Sequence, residues 1–337
     1  MSVQISVPGR VCLVGEHNDW AGGCAIVVPM DRSVVVRARA WPTLAATAVF
    51  EGAALAWEAG EQPGPLMFVP AVARVLSDVW GRGCTGIVHI EGDLPAGRGF
   101  SSSAAVCVAL VCAFSALHGR AVDTAAAAEL AYRAEHDVCG INCGRLDPLA
   151  CAWGKPLYLR FEGDAVDVEP VPANFALAVG SFRAPRDTAG ILAALGRRFR
   201  GETAAGSRIG ERTGGRNGSL NVQVVRDALE GFGIQARSAR QALFAGDLGA
   251  LGNAMDRCQE IYEDALMPAL PELLAPGLVQ AVRALRAAGA LGAKFSGAGG
   301  DGSVIGLFAV ADVAMLRGVA ALEGLGLDAF GMEVRYL

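Results

Sequence analysis

From Ala104 to Leu117 the chain runs 14 residues with one polar side chain, Ser115. Apolar on nearly every face, this stretch predicts a helix packed on all sides. Val3–Val14 reads as a strand apart from Pro8-Gly9, and Ala25–Arg39 alternates around Pro29 as a long strand or a pair. Gly86–Glu91 is a short strand that leads into a glycine-serine loop, Asp123–Asp137 has helical composition, and Pro156–Phe161 is a strand. Phe175–Phe182 opens a second half. Residues 222–288 read as amphipathic helices broken at Gly231, Gly246 and Pro268–Pro271. Strands at Lys294–Ser296, Ser303–Ala309 and Met332–Leu337, with a helix near Val313–Leu322, complete an α+β half. The boundary falls around Glu162–Pro172, which divides the chain into 1–165 and 166–337. Gly201–Gly218, rich in Gly, Ser, Thr and Arg with no apolar period, is expected to be a mobile loop.

At 337 residues and 53% hydrophobic, the chain can bury a sizeable core in two intimately joined domains. The net charge of −5, with no basic run, argues against a nucleic-acid partner. The 14-residue apolar run would reach about 21 Å as a helix, short of the ~30 Å core of a bilayer. Arg10, Glu16, His17 and Asp19 arrive too early for an apolar leader, so no membrane association and a cytoplasmic location are expected. Nine cysteines, an odd count, argue against a disulfide framework, and with four histidines and no CxxC pair they read as buried thiols rather than a zinc site. Lys155 and Lys294 are the only lysines.

Four segments carry candidate chemistry. Pro95-Ala-Gly97-Arg-Gly99-Phe-Ser101-Ser102-Ser103-Ala104 puts two glycines and three hydroxyls in front of the apolar helix. Backbone N–H groups freed by the glycines and the positive end of a helix dipole make such a segment a phosphate cradle. An ordinary serine-capped helix is the plainer reading. Ser296-Gly297-Ala298-Gly299-Gly300-Asp301-Gly302 lies between two short apolar strands, as a tight hairpin or as a second loop that approaches an anion. No Gly-x-x-x-x-Gly-Lys-Ser/Thr occurs, so a P-loop is excluded. Pro8-Gly9-Arg10 to Gly22-Gly23 ends a strand at Gly15 and delivers Glu16, His17 and Asp19 together, either as a solvated turn or as acceptors for a polyhydroxylated ligand. Glu135-His136, followed by Cys139-Gly-Ile-Asn-Cys-Gly144-Arg-Leu-Asp147-Pro148, presents two carboxylates twelve residues apart. They suit a metal and a proton transfer, or a helix end and an N-cap.

Taken together and in chain order, beginning with Pro8–Gly23, the four segments resemble the GHMP small-molecule kinases, most closely the galactokinase-like sugar kinases. The first is similar to Pro-Gly-Arg-Val-x-Leu-x-Gly-Glu-His-x-Asp-Tyr, the second to Pro-x-x-x-Gly-Leu-x-Ser-Ser-Ala, and the third to Ala-Glu-His/Asn followed by Cys-Gly-Ile-Met-Asp. The fourth, Ser296–Gly302, resembles the last motif of the family. The resemblance implies a two-domain α+β fold, a ribosomal-protein-S5-like N-terminal domain and a ferredoxin-like C-terminal domain with the active site in the cleft between them. It implies ATP and Mg²⁺ as partners in phosphorylation of a small-molecule sugar at the anomeric hydroxyl, with the oligomeric state left open.

By the same resemblance, Asp147 and Arg10 are the catalytic pair and Ser103 and Glu135 hold the metal. Gly97, Gly99, Ser101, Ser102 and Ser103 cradle the triphosphate, closed by Gly297, Gly299 and Gly300. Glu16, His17, Asp19, Gly144 and Asp147 meet the substrate. The sequence departs from the galactokinase pattern at Trp20-Ala21, Arg98, Phe100, Arg145 and Pro148, and 181–186 lacks the segment that supplies a sugar-contacting tyrosine. Arg145, Arg183 and Arg186 near the expected pocket point to an acidic or phosphorylated sugar, or are surface charge in an arginine-biased chain. A kinase of a non-sugar alcohol such as mevalonate or homoserine, and a non-catalytic sugar sensor, are the alternatives.

Overall fold

The computed structural model describes residues 2–50, 52–183, 187–202 and 216–337. Along the chain run β1 (Ser2–Val14), a single turn α1 (Asn18–Ala21), β2 (Gly23–Arg39), β3 (Leu44–Phe50), β4 (Ala53–Glu58), α2 (Phe68–Trp80) and β5 (Gly86–Gly92). There follow α3 (Ser102–Leu117), α4 (Thr124–Arg133), a π-turn at Ala134–Val138, α5 (Leu146–Trp153), β6 (Leu157–Glu162), β7 (Ala165–Pro170), β8 (Ala173–Ser181) and α6 (Thr188–Arg200). The chain ends with α7 (Arg216–Ala245), α8 (Leu248–Ile261), a second π-turn at Tyr262–Leu266, the single turn α9 (Met267–Ala269), α10 (Pro276–Ala287), β9 (Gly292–Ser296), β10 (Ser303–Phe308), α11 (Val313–Gly324) and β11 (Asp328–Tyr336). Among the described residues no helix is long and apolar enough to cross a membrane.

The contacts divide the chain into two compact units, Met1–Arg10 with Pro29–Lys155, and Val11–Val28 with Pro156–Leu337. In the first unit the sheet order is β4-β3-β5-β2, with β3 and β5 parallel and the other pairs antiparallel. The β2–β5 register runs from Val34↔Gly92 to Arg39↔Ile87. Helix α3 is the core of this unit, with eleven of its sixteen residues buried, which is why its sequence shows no polar face. In the second unit the first half of β2 pairs with β6, and β6 and β7 form a hairpin. A separate antiparallel sheet has the order β11-β8-β10-β9. Strands β9 and β10 are buried at every position, the polar Lys294, Ser296 and Ser303 included.

Two expectations change. Pro8-Gly9 does not interrupt β1. A Cβ at residue 9 would lie 2.4 Å from Leu94 Cδ1 and 2.7 Å from the Phe100 carbonyl oxygen, so glycine lets that segment pass under the glycine-serine loop. Gly231 does not break a helix either, since α7 runs through it, and a Cβ there would meet Ile261 Cδ1 at 2.9 Å. It is a close-packing glycine, whereas Gly246, with φ +68, does end α7. Of the linker-like stretch 201–218, residues 203–215 lie outside the described residues, and its last three begin α7.

Candidate active site

In the first unit, the loop before α3 is built around buried Phe100, whose carbonyl accepts from Arg10 N at 3.2 Å. Gly97 and Gly99 take φ of +68 and +83, open to glycine at no steric cost. Ser101 also takes a positive φ, +61, and its buried hydroxyl caps nothing and has no hydrogen-bond partner. The plainer alternative, a helix capped by this serine, is therefore not what the loop forms. The cap position is held by a strained residue with an unpaired hydroxyl, an arrangement that costs about 1–3 kcal/mol for the backbone alone. Among the described residues only two non-glycines have positive φ, and the other is His17, at +68. Backbone strain thus falls in two of the loops singled out by the sequence.

Arg10 gathers the rest of this unit's constellation. Its Nε and Nη2 both donate to Asp147 Oδ1, at 2.8 and 2.6 Å, and its Nη1 donates to the Gly99 carbonyl at 2.7 Å. Arg10 is buried, while a third of the Asp147 side chain stays exposed. Asp147 sits in the first turn of α5, where the positive end of a helix favours a carboxylate. Gly144 lies in the irregular segment just before that helix. Glu135 stands in the π-turn that prolongs α4, and its buried carboxyl is hydrogen-bonded by Ser103. One guanidinium ties the candidate base to the glycine loop, with a buried carboxyl and hydroxyl alongside.

Burial pushes the Glu135 carboxyl up to about 7, the Ser103 bond and Arg10 opposing and Asp147 reinforcing the rise. Below its ordinary value of 4.5 the group is protonated in both folded and unfolded chains and has no effect. Between 4.5 and about 7 the unfolded chain ionises first, so stability falls as pH rises. Above that window roughly 3 kcal/mol has been lost. Denaturant titrations in EDTA should therefore find Glu135→Gln more stable than the parent by up to that amount at pH 8, and near parity at pH 4.5. Equal stabilities at pH 8 would contradict the assignment.

In the second unit, β1 ends at Gly15, whose added Cβ would lie 2.2 Å from the Cys24 carbonyl oxygen. Glu16 is 2% exposed and its Oε1 is paired with the ammonium of Lys294, which is wholly buried; Glu16 Oε2 and Asn18 Oδ1 are buried with no partner. His17 is buried beside Trp20, and Asp19 is half-buried. The β9–β10 hairpin carries Gly297, Gly299 and Gly300 with φ of +86, +85 and +66. The Gly300 N–H donates to the phenol oxygen of Tyr262 at 2.7 Å, and that phenol donates to the Leu273 carbonyl at 2.8 Å. Gly300 therefore shapes the loop without offering its own N–H.

Sequence reasoning missed Lys294, Tyr262 and Ser296, whose hydroxyl bridges the backbone N–H and carbonyl of Cys12. Signals existed for Lys294, as one of two lysines, and for Ser296, as the first residue of the second glycine segment, but none for Tyr262. The arginines expected near the pocket have other work. Arg145 pairs with Glu129 at 3.0 Å and lies over the Tyr132 ring, and Arg183, 71% exposed, pairs with Asp328 at 2.7 Å. Arg186 lies outside the described residues. For Arg145 and Arg183 these ion pairs favour the reading as surface charge.

Residues 67–155 match the GHMP kinases N terminal domain and residues 239–316 the GHMP kinases C terminal. A galactokinase of Mycobacterium bovis is 31% identical over 345 residues, spanning 91% of this chain and 89% of its own. A mevalonate kinase of Aeropyrum pernix is 28% identical over 344 residues, spanning 99% and 96%. The crystal structure of Lactococcus lactis galactokinase complexed with galactose superposes with a TM-score of 0.79 at 21% identity, covering 99% of this chain and 93% of that one.

Proposed function

The chain belongs to the GHMP kinase family and has its two-domain fold of mixed α and β content, and on that premise we propose that it is an ATP- and Mg²⁺-dependent sugar kinase that phosphorylates the anomeric hydroxyl of a monosaccharide or monosaccharide derivative. The observation that carries this reading is the Arg10 guanidinium, bonded at once to Asp147 and to the glycine loop through Gly99. Phosphoryl transfer needs little covalent help from the protein and much positioning and charge stabilisation, which such a group supplies. Both Arg10 bonds to Asp147 use Oδ1, and Oδ2 is the oxygen that accepts or orients the proton of the attacking hydroxyl. Gly97, Gly99, Ser101 and Ser102 hold the phosphates, and the unpaired Ser101 hydroxyl is a donor in want of such an acceptor. In the second unit, Gly297 and Gly299 are assigned to nucleotide binding on the resemblance of their segment to the family's last motif.

A divalent cation fits the first unit. Glu135 is a buried carboxyl whose charge the protein leaves poorly compensated, and Ser103 adds the hard oxygen beside it. These two residues would hold Mg²⁺, which when bound neutralises phosphate charge. His17 and Asp19, with Gly144, meet the acceptor substrate. Of the sugar hydroxyls the anomeric one is the most acidic, and so the one a carboxylate such as Asp147 activates most readily.

A second reading has its own support. The Aeropyrum pernix relative extends along 99% of the chain, and Lys294 cancels the charge of Glu16, so a carboxylate-bearing alcohol would not face two bare carboxylates. ADP release measured with neutral sugars, uronic acids, sugar phosphates, mevalonate and homoserine separates the readings. A monosaccharide is expected to give the highest kcat/KM. A maximum on mevalonate would replace the sugar by an acidic alcohol. Nucleotide binding without turnover on any acceptor would make the protein a sensor.

A further inference from the structure

We propose that Lys294 and Glu16 form a buried ionic strut whose role is to hold the 16–22 turn in its strained conformation, so that both position that turn. His17 sits in the left-handed region at φ +68, where a non-glycine residue stays only if its neighbours fix it. Its neighbours on both sides are tied. Glu16 is paired with Lys294, and Asn18 Nδ2 donates to the Cys24 carbonyl at 2.8 Å. The Glu16 carboxylate is enclosed: the residue is 2% exposed, and the oxygen that Lys294 leaves over is buried as well.

The far end of the strut is rigid. Strand β9 pairs with β10 from Gly292↔Leu307 to Ser296↔Ser303. The Ser296 hydroxyl accepts from Cys12 N at 2.9 Å and donates to Cys12 O at 3.2 Å. Phe295 stacks on Tyr262 with ring centroids 4.3 Å apart, and the Lys294 ammonium also donates to the Phe295 carbonyl. Removing the Lys294 head group leaves β9 anchored by all of these, so the loss falls on the turn. The turn's own backbone bonds are few: Asn18 N to Gly15 O at 3.4 Å, Ala21 N to His17 O at 3.1 Å and Gly22 N to Asn18 O at 3.0 Å.

Amide hydrogen exchange reads this without any substrate. Lys294→Met alone leaves a buried carboxylate unpaired and can fail to fold, so the decisive chain is Glu16→Met/Lys294→Met, which removes both charges. It is expected to melt close to the parent while the amides of Ala21 and Gly22 exchange at least tenfold faster, with those of β8 and β10 unchanged. Parental exchange at Ala21 and Gly22 in that double variant would overturn the strut, since the pair would then be exchangeable filling. The kinetic counterpart rests on the kinase reading: acceptor KM is expected to rise about tenfold in the double variant, with ATP KM within twofold of the parent. If the parent chain phosphorylates no alcohol, that reading fails and the exchange result still decides the strut.

Discussion

Asp147→Asn is expected to lower kcat by about 10²–10⁴ while leaving the fold and ATP binding intact. Asparagine keeps the size of the side chain and an oxygen to accept from Arg10 Nε and Nη2, so the bonds that seat the residue on α5 survive. What is lost is the negative charge and the ability to take a proton at the oxygen that Arg10 leaves over. Steady-state kinetics with saturating ATP and acceptor, beside calorimetric ATP binding, separates the two effects. A kcat within a few fold of the parent in a well-folded variant would remove Asp147 from the chemistry.

Arg10→Ala is expected to cost on the order of 10³ in kcat, with a smaller loss of ATP affinity. The side chain is only 7% exposed and makes contacts to both Asp147 and the Gly99 carbonyl. Truncation leaves that carbonyl and the carboxylate without the Arg10 donor, and it removes the positive charge paired with Asp147. Lysine carries one compact charge and cannot reproduce a planar fork, so Arg10→Lys should recover only part of the rate. Because the two residues act as one unit, adding Arg10→Ala to Asp147→Asn should lower kcat far less than the product of the separate losses. Full multiplicativity would show that they work independently.

Much of this was legible in the chain itself. The Pro-Gly-Arg segment, the glycine-serine loop and the Glu135–Asp147 step are local patterns, and local patterns survive in a sequence. The apolar run after Ser103 announced a buried helix for the same reason. Non-local facts left no trace. That Val11–Val28 packs with residues 156–337 depends on contacts far apart in the chain, and no periodicity encodes it. The partnership of Glu16 with Lys294 joins positions 278 residues apart, so a turn that read as open acceptors proved to be an enclosed ion pair. Gly231 read as a breaker because propensity sees only the missing side chain, while the fold uses that gap to admit Ile261. The π-turn that presents Glu135 interrupts an ordinary helical composition, and composition cannot mark one extra residue in a turn.

Phosphorus NMR of the purified product reads whether the ATP γ-phosphoryl group has gone to the anomeric oxygen of a sugar. The predicted spectrum shows one phosphate monoester coupled to H1, with the reducing end lost. A phosphate on any other carbon, with the anomeric centre still reducing, would contradict it.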